Sequence, residues 1–335
     1  MKVGVKINDL ASRGQKKIQI GKLFGNVVAI DAFNVIFKFL SAIRYRDGKP
    51  LTDNEGNIVS HLSGIFYRTL NYLVCGIRPV YIFDGNYPEL KFDTLEERER
   101  IREEAKRKVK EARMRGNLEE ALKYEKMTAT LNSEMIKESK ELINDFGVPY
   151  IQASGEGEAQ AAYLVQNDDA WGVVSEDYDT LLFGGTRLLY DFSITKKTKS
   201  LTEIEYISLP KMLIDLEITR EQLVDMAILI GTDYNPGVKW VGQHTALKLI
   251  KKYGTIEKVI KAGEKVRGKK IYVNTEIIKG IQDIYLNPSL KTDYAPLEWR
   301  RISFEQLKER MIHKHNFSKK RIRNGIKRLK EKIKE

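Results

Sequence analysis

Seven carboxylates in this sequence stand where a short apolar run stops. Val27-Val28-Ala29-Ile30 runs into Asp31, and Val80-Tyr81-Ile82-Phe83 runs into Asp84. Val148-Pro149-Tyr150-Ile151 leads through Ser154-Gly155 to Glu156 and Glu158. Trp171-Gly172-Val173-Val174 leads to Asp177 and Asp179, and Ile228-Leu229-Ile230 leads to Asp233. A single Asp at such a place is most often a turn former or a helix cap. Here the placement recurs on successive runs. The Glu-x-Glu and Asp-x-Asp spacings can also turn two carboxylates to one side of an extended or helix-entry segment. Gathered in one cleft, such acids repel and some protonate. Bound Mg²⁺ removes the repulsion. Two such ions about 3.5–4 Å apart can activate water and stabilise both oxygens of an in-line phosphodiester displacement. Mg²⁺ keeps several waters, so some of the acids would act through water.

Other metal chemistry is poorly provided for. Cys75 is the only cysteine, which excludes an internal disulfide and a zinc site built on paired cysteines. With only four histidines, oxygen ligands and hence Mg²⁺ or Mn²⁺ are expected. The net charge of +12 suggests an anionic partner, nucleic acid first, since Lys and Arg gain affinity by releasing counterions from phosphate. The distribution of that charge matters more than its total. No apolar run approaches the roughly 18 residues of a membrane span, and Met1 to Gln19 has no signal-peptide core. A soluble, intracellular protein of the cytoplasm or nucleoid is expected, without membrane contact.

The elements that must position the acids follow from the runs themselves. Most read as buried strands, being short and β-branched or aromatic; the run at 228–230 also fits a helix end. Helical patterns at Leu62–Leu73 and Gly157–Val165 lie between them. Strand–helix alternation predicts an α/β fold with a mostly parallel central sheet flanked by helices. Ligands of such sheets sit at the carboxyl ends of the strands, where the acids fall.

Residues 91–115 are crowded with Lys and Arg, and Glu96–Arg100, Glu103–Arg107, Glu104–Lys108 and Glu111–Arg115 have i,i+4 spacing. The apolar stripe Ile101, Ala105, Val109, Ala112 is too narrow to bury such a helix. A second helix starts at Asn117, with Glu120 placed for a capping box, and runs with a break to Phe146. Residues 86–130 are therefore expected to form a helical insertion projecting from the sheet edge. Thr219 and Gln222 cap a helix that ends near Gly231, and a second helix runs from His244 to Tyr253 before Gly254. Ser303 and Gln306 should cap a later helix, and Lys319–Lys334 should form a strongly basic last one.

Taken in order, Val28-Ala29-Ile30-Asp31-Ala32, Val80-Tyr81-Ile82-Phe83-Asp84-Gly85, Gly155-Glu156-Gly157-Glu158-Ala159-Gln160-Ala161, Ser175-Glu176-Asp177-Tyr178-Asp179 and Gly231-Thr232-Asp233-Tyr234 resemble the successive signatures of flap endonucleases. Phe66-Tyr67-Arg68-Thr69 fits the same family, and the resemblance runs from Gly4 to about Leu329. It implies a PIN-like nuclease fold with a helical arch and a helix–hairpin–helix DNA-binding motif. One 5′ nuclease domain would span 1–335, with an N-terminal region 1–110, the arch 86–130, an internal region 118–262, the hairpin motif 219–254 and a basic region 263–335. The resemblance further implies hydrolysis of DNA flaps at single-strand/duplex junctions, as in Okazaki fragment maturation and base excision repair. Two Mg²⁺ ions would be held by Asp31, Asp84, Glu156, Glu158, Asp177, Asp179 and Asp233, with Mn²⁺ able to substitute. Lys91 and Arg98 would steady the scissile phosphate. Phe37, Arg44, Arg68, Lys239, Gly242 and Lys248 would contact DNA, and the hairpin would hold K⁺.

Three departures stand out. Trp240-Val241-Gly242-Gln243-His244 replaces the family's Gly-x-Gly-Pro-Lys loop, which removes the usual lysine contact to phosphate. Met1-Lys2-Val3 precedes the glycine at which relatives usually begin. The sequence stops at Glu335 without the tail by which relatives bind a sliding clamp, so clamp binding through that route is not expected; a monomer is expected. The rival readings are a 5′ exonuclease or junction or bubble endonuclease of the same superfamily, an RNA-processing nuclease, and a catalytically silent scaffold for branched DNA. Retention of all seven acids opposes the last, because clustered uncompensated carboxylates weaken phosphate binding.

Overall fold

The structure, a computed structural model, describes residues 4–194 and 203–334. The extension Met1-Lys2-Val3 lies outside the described residues. Among the described residues a seven-stranded sheet runs in the order β1-β7-β6-β5-β2-β3-β4. Strands β2 (Val27–Asp31), β3 (Arg78–Phe83), β4 (Tyr150–Gln152), β5 (Gly172–Ser175) and β6 (Arg187–Tyr190) pair in parallel. Their runs of Val, Ile and Phe are continuous because both faces are covered. At one side β7 (Glu203–Ser208) pairs antiparallel with β6, and β1 (Gln15–Gln19) with β7. The sequence pattern does not mark β1. It is short, polar and largely exposed, and lysines at Lys16 and Lys17 suit a sheet edge that must not recruit another strand.

One face of the sheet is covered by helices Ala32–Ala42, Ser60–Val74 and Ser133–Asp145, with the basic helix Lys319–Lys334 behind them. Val35, Ile36, Leu62, Ile65, Phe66, Leu142 and Ile326 fill that core. The other face receives Gly157–Gln166, whose Ala159, Ala161 and Ala162 let it approach the strands closely. Beyond it lie Arg220–Ile230, Gln243–Tyr253 and Thr275–Leu286.

The run at 228–230 is the end of a helix rather than a strand. Thr219 Oγ1 accepts from the Gln222 amide at 3.2 Å and Gln222 Oε1 accepts from the Thr219 amide at 2.9 Å, a complete capping box. The expected cap at Ser303 is different. The helix Phe304–Lys308 begins there, but the serine side chain makes no capping bond.

In the insertion, Phe92–Met114 is one helix, followed by Leu118–Glu125 with Asn117 Oδ1 accepting from the Glu120 amide at 3.1 Å. Of its side chains Ala105, Val109 and Ala112 are buried. The ion pairs correct the i,i+4 expectation. Arg100 pairs with Glu97, Arg102 with Glu99, Lys106 with Glu103 and Arg107 with Glu104, all at i,i+3, while Glu104–Lys108 keeps i,i+4 spacing. Both spacings lie on one helix face, so rotamer choice decides between them. No helix among the described residues is long and apolar enough to cross a membrane.

Thr219→Ala should cost about 1 kcal/mol of unfolding free energy, the usual value of a lost N-cap, while Thr219→Ser keeps most of it. Urea denaturation checks this; an equal loss in both variants would show that the hydroxyl is not what caps this helix.

Candidate metal centre

The seven acids meet at one edge of the sheet, six of them after strand ends and Asp233 after a helix end. Asp31 ends β2, and its Oδ1 accepts from the Asn34 amide at 3.0 Å, so it also caps the next helix. Asp84 follows β3. Its Oδ1 accepts from the Gly157 amide at 2.7 Å and its Oδ2 from the Tyr87 hydroxyl at 3.0 Å. A Cβ at Gly157 would lie 2.5 Å from that same carboxylate oxygen, which explains the glycine between Glu156 and Glu158. Glu156 and Asp179 stand at helix starts, where the helix dipole favours negative charge. Asp233 lies in the turn after Gly231, held by Thr232 and Asn235, whose side chain donates to the Ile228 carbonyl at 2.8 Å.

Oxygens of Glu158, Asp177 and Asp179 lie within 4.8 Å of one another. Ser175 Oγ donates to Glu158 at 2.9 Å, and the Asp179 amide donates to Asp177 at 3.0 Å. Asp179 accepts from the Val5 amide at 2.8 Å and from the Tyr285 hydroxyl at 2.7 Å. The segment at Gly4 and Val5 thus packs into the site: a Cβ on Gly4 would sit 1.7 Å from Asp177.

Burial and mutual repulsion govern the charges. Burial, then Asp84, pushes the Asp31 carboxyl up to about 7. Burial, then Glu156, pushes Asp84 up to about 6, and burial, then Asp233, does the same to Asp179. Glu158 and Asp177 are raised well above the ordinary carboxylate range, by burial first and by Asp177 and Asp179 respectively next. The donor set is all oxygen, the natural complement of a hard divalent cation. These residues fit such ions: the shortage of positive charge that lifts the acids is what a divalent cation would supply.

Lys91 and Arg98 reach this cluster. Lys91 is buried, with Nζ 2.8 and 2.7 Å from the two oxygens of Glu156 and 3.8 Å from Asp233. Burial alone would lower its pKa; Glu156, Asp233 and Asp84 outweigh that and raise it, so the amine stays charged. An Arg98 Nη2 donates to Asp233 at 2.6 Å, and Thr94 Oγ1 to the Asp233 carbonyl at 2.6 Å. Neither cation is simply part of a solvated helix face.

The other expected DNA contacts do not converge with them. Phe37 is half-buried on the helix Ala32–Ala42. Arg68 lies over the Phe39 ring at 4.8 Å. Arg44 is turned inward: its side chain is 7% exposed and donates to the Ser41 and Gly48 carbonyls, each at 3.0 Å, beside Glu125. Gly242 precedes the helix Gln243–Tyr253 with open space at its Cα, Lys248 is exposed, and Lys239 lies over Trp240. Gln243 and His244 bond Asp9 of the N-terminal segment.

Sequence reasoning missed Tyr87, Tyr234 and Tyr285. The Tyr234 hydroxyl donates to Glu156 at 3.0 Å, so each phenol orients a carboxylate. Tyr234 and Tyr87 follow acids closely in sequence, which is a weak signal. Nothing near Tyr285 points to its partner.

The family models match this arrangement: the XPG N-terminal domain over residues 4–105 and the XPG I-region over 147–233. Flap endonuclease 1 of Staphylothermus marinus is 44% identical over 340 residues, covering 98% of this chain and 94% of that protein. The chain belongs to the flap endonuclease family. The Pyrococcus horikoshii relative is likewise 44% identical, covering 99% of this chain and 95% of its own length. Among solved structures, flap endonuclease-1 of Methanococcus jannaschii aligns with a TM-score of 0.72 at 35% identity, covering 95% of this chain and 96% of that one. The catalytic core of Rad2 in complex with DNA substrate aligns at 0.75 and 26% identity, covering 97% and 100%. Members of the family are metal-dependent, in keeping with the acidic cluster here.

The raised acids set a pH dependence. Asp31, at about 7, and Asp84 and Asp179, at about 6, bind protons more tightly folded than unfolded. Their contribution to stability is therefore full below the ordinary carboxylate pKa and lost as pH rises through about 6 to 7. Metal-free protein should melt lower at about pH 8 than at about pH 5, Asp177→Asn should reduce that drop, and Mg²⁺ should restore wild type most at the higher pH. Thermal melts in chelator and in Mg²⁺ decide it; a metal-free melting point that rises with pH would contradict the account.

Proposed function

We propose that the seven acids form a two-Mg²⁺ centre with which this flap endonuclease hydrolyses DNA at single-strand/duplex junctions. The family supplies the activity, structure-specific cleavage by a metal-dependent DNA hydrolase acting on branched or flap DNA. The observation that carries the finer reading is the convergence of Glu158, Asp177 and Asp179 with raised carboxyls and no nitrogen or sulfur donor among them. When bound, two such ions would activate water and stabilise charge on both oxygens of the displaced phosphodiester.

The chain's own groups would do the rest. Tyr285, Ser175 and the Val5 and Asp179 amides fix the carboxylates by donating to them, which sets their direction before any ion arrives. Lys91 and Arg98 would meet phosphate oxygens as charged donors, leaving the acids they now contact. Lys91 keeps its proton because three carboxylates raise its pKa, so it acts as a fixed charge and not as a base. In this reading residues 86–130 are the arch through which a 5′ single strand passes, and the chain acts as a monomer. The loop 231–242, between helices Arg220–Ile230 and Gln243–Tyr253, would hold K⁺ on the duplex arm.

Lys91→Ala and Arg98→Ala should lower single-turnover flap cleavage by orders of magnitude and change flap affinity modestly, because they act on positioning and charge at the phosphate. Glu103→Ala, whose carboxylate only pairs with Lys106 on an exposed face, should be tolerated. Asp179→Ala should retain DNA binding and lose cleavage. Paired single-turnover and equilibrium-binding assays on flap, nicked, bubble and hairpin substrates, with and without Mg²⁺, test all four variants. Wild-type cleavage rates in Lys91→Ala and Arg98→Ala together would remove the proposed roles of both.

A further inference from the structure

Trp240 occupies the turn between the two helices of the hairpin motif in a left-handed backbone conformation, φ 67°, and is 39% exposed. A large apolar ring held out in that way calls for an explanation, and its neighbours provide one. Lys239 Nζ lies 4.8 Å from the ring centroid, Lys269 Nζ 5.5 Å and the Arg267 guanidinium 5.7 Å. Cation–π attraction of this kind is worth roughly 0.5–1 kcal/mol at an exposed site. It fixes long side chains that would otherwise range freely.

Arg267 and Lys269 come from a separate element, a two-stranded ribbon of β8 (Lys265–Val266) and β9 (Lys269–Lys270). Arg267 and Gly268 both have positive φ, 48° and 81°, the tight hairpin turn that matches strand twist. Lys265, Arg267, Lys269 and Lys270 are all exposed.

Acids are missing from this group. Among the described residues no ion pair within 4.0 Å involves Lys239, Arg267 or Lys269. Nearby, Lys251 pairs with Glu217 and Lys252 with Glu264, each pair separated by 2.7 to 2.8 Å. Three cations crowded around one ring with no internal counter-charge repel one another, and a polyanion laid across them relieves that cost. The ring is taken up by cations, which suits a grip on phosphates and not the stacking of an unpaired base. Gln243 and His244, at the start of the following helix, bond Asp9 in an exposed contact, so their polar groups are already partnered.

We propose that Trp240, with Lys239, Arg267 and Lys269, is a phosphate-gripping platform for a duplex DNA arm, extending the contact from the hairpin motif onto the β8–β9 ribbon. This rests on the reading of the chain as a DNA nuclease. The platform reads backbone and not sequence, so it serves position along the duplex.

The test is fluorescence anisotropy with a labelled blunt duplex and with one of its single strands, in chelator, over a series of potassium chloride concentrations. If Arg267 and Lys269 each neutralise one phosphate, Arg267→Ala/Lys269→Ala should reduce the slope of log K against log salt by about 1.8, at about 0.9 per phosphate. It should weaken duplex binding about tenfold or more and single-strand binding less. Trp240→Ala should lower duplex affinity although every charge is kept, and Trp240→Phe should recover most of it. Arg267→Lys/Lys269→Arg should keep the wild-type slope, which separates lost charge from misfolding. An unchanged slope in the double alanine variant, or an equal loss on both ligands, would overturn the proposal. Wild-type cleavage of a flap in Mg²⁺ is scored separately. If the flap is cut and the slope is unchanged, the platform alone fails; if no flap is cut, the nuclease reading fails as well.

Discussion

Buried carboxylates that repel one another are the constraint around which this molecule is arranged. Five of the seven acids are buried and the other two partly so, and the largest upward pressure on the raised ones is burial itself. A fold that only needed stability would place such groups apart or replace them. Here the parallel sheet delivers six of them from separate strands to one edge, a helix end brings Asp233, and amides, phenols and a serine hydroxyl hold them there. The phenols of Tyr87, Tyr234 and Tyr285 donate without adding charge, so they orient the acids and leave the negative potential in place. What remains uncompensated is the driving force for binding cations.

Lys91 and Arg98 show how the same constraint shapes the insertion. Their helix buries little of itself, and much of its surface is exposed Glu paired with Arg or Lys one turn away. Pairs of that kind add little stability. The helix is tied down at its start by ionic contacts to Glu156 and Asp233 and further along by packing on Leu118–Glu125. The first tie competes with anything that binds the acids or draws the two cations away. On the proposed reading, ions in the cleft and phosphate under the helix would take over from that anchor, and loading of the centre would then be coupled to the position of the insertion.

Much of this was legible from residue order. The strand ends and the capping box at Thr219 follow from local pattern, and six of the acids follow from the strand ends, with Asp233 after a helix end. What escaped was decided by contacts between distant segments. Tyr285 reaches Asp179 from 106 residues away, and the amide of Val5 reaches the same carboxylate across 174. Arg44 reads as a free cation in sequence but is claimed by two carbonyls and Glu125 in the folded chain. The antiparallel strand β1 carries too little apolar pattern to announce itself. The Trp240 loop, visible in sequence only as a lost lysine, gains its meaning from a ribbon that supplies cations from residues 267 and 269.

The central claim is that repulsion among buried, partly protonated acids is what divalent ions relieve. Isothermal titration of the DNA-free protein with Mn²⁺, in buffers of differing ionisation enthalpy, measures it most directly. At about pH 6 the account predicts net proton release on binding, because acids held up near 6 to 7 must ionise to act as ligands. Release should shrink toward about pH 8, where those acids are already ionised, and should fall in Asp177→Asn. Tight binding with no proton release at the lower pH, or no binding at all, would contradict it.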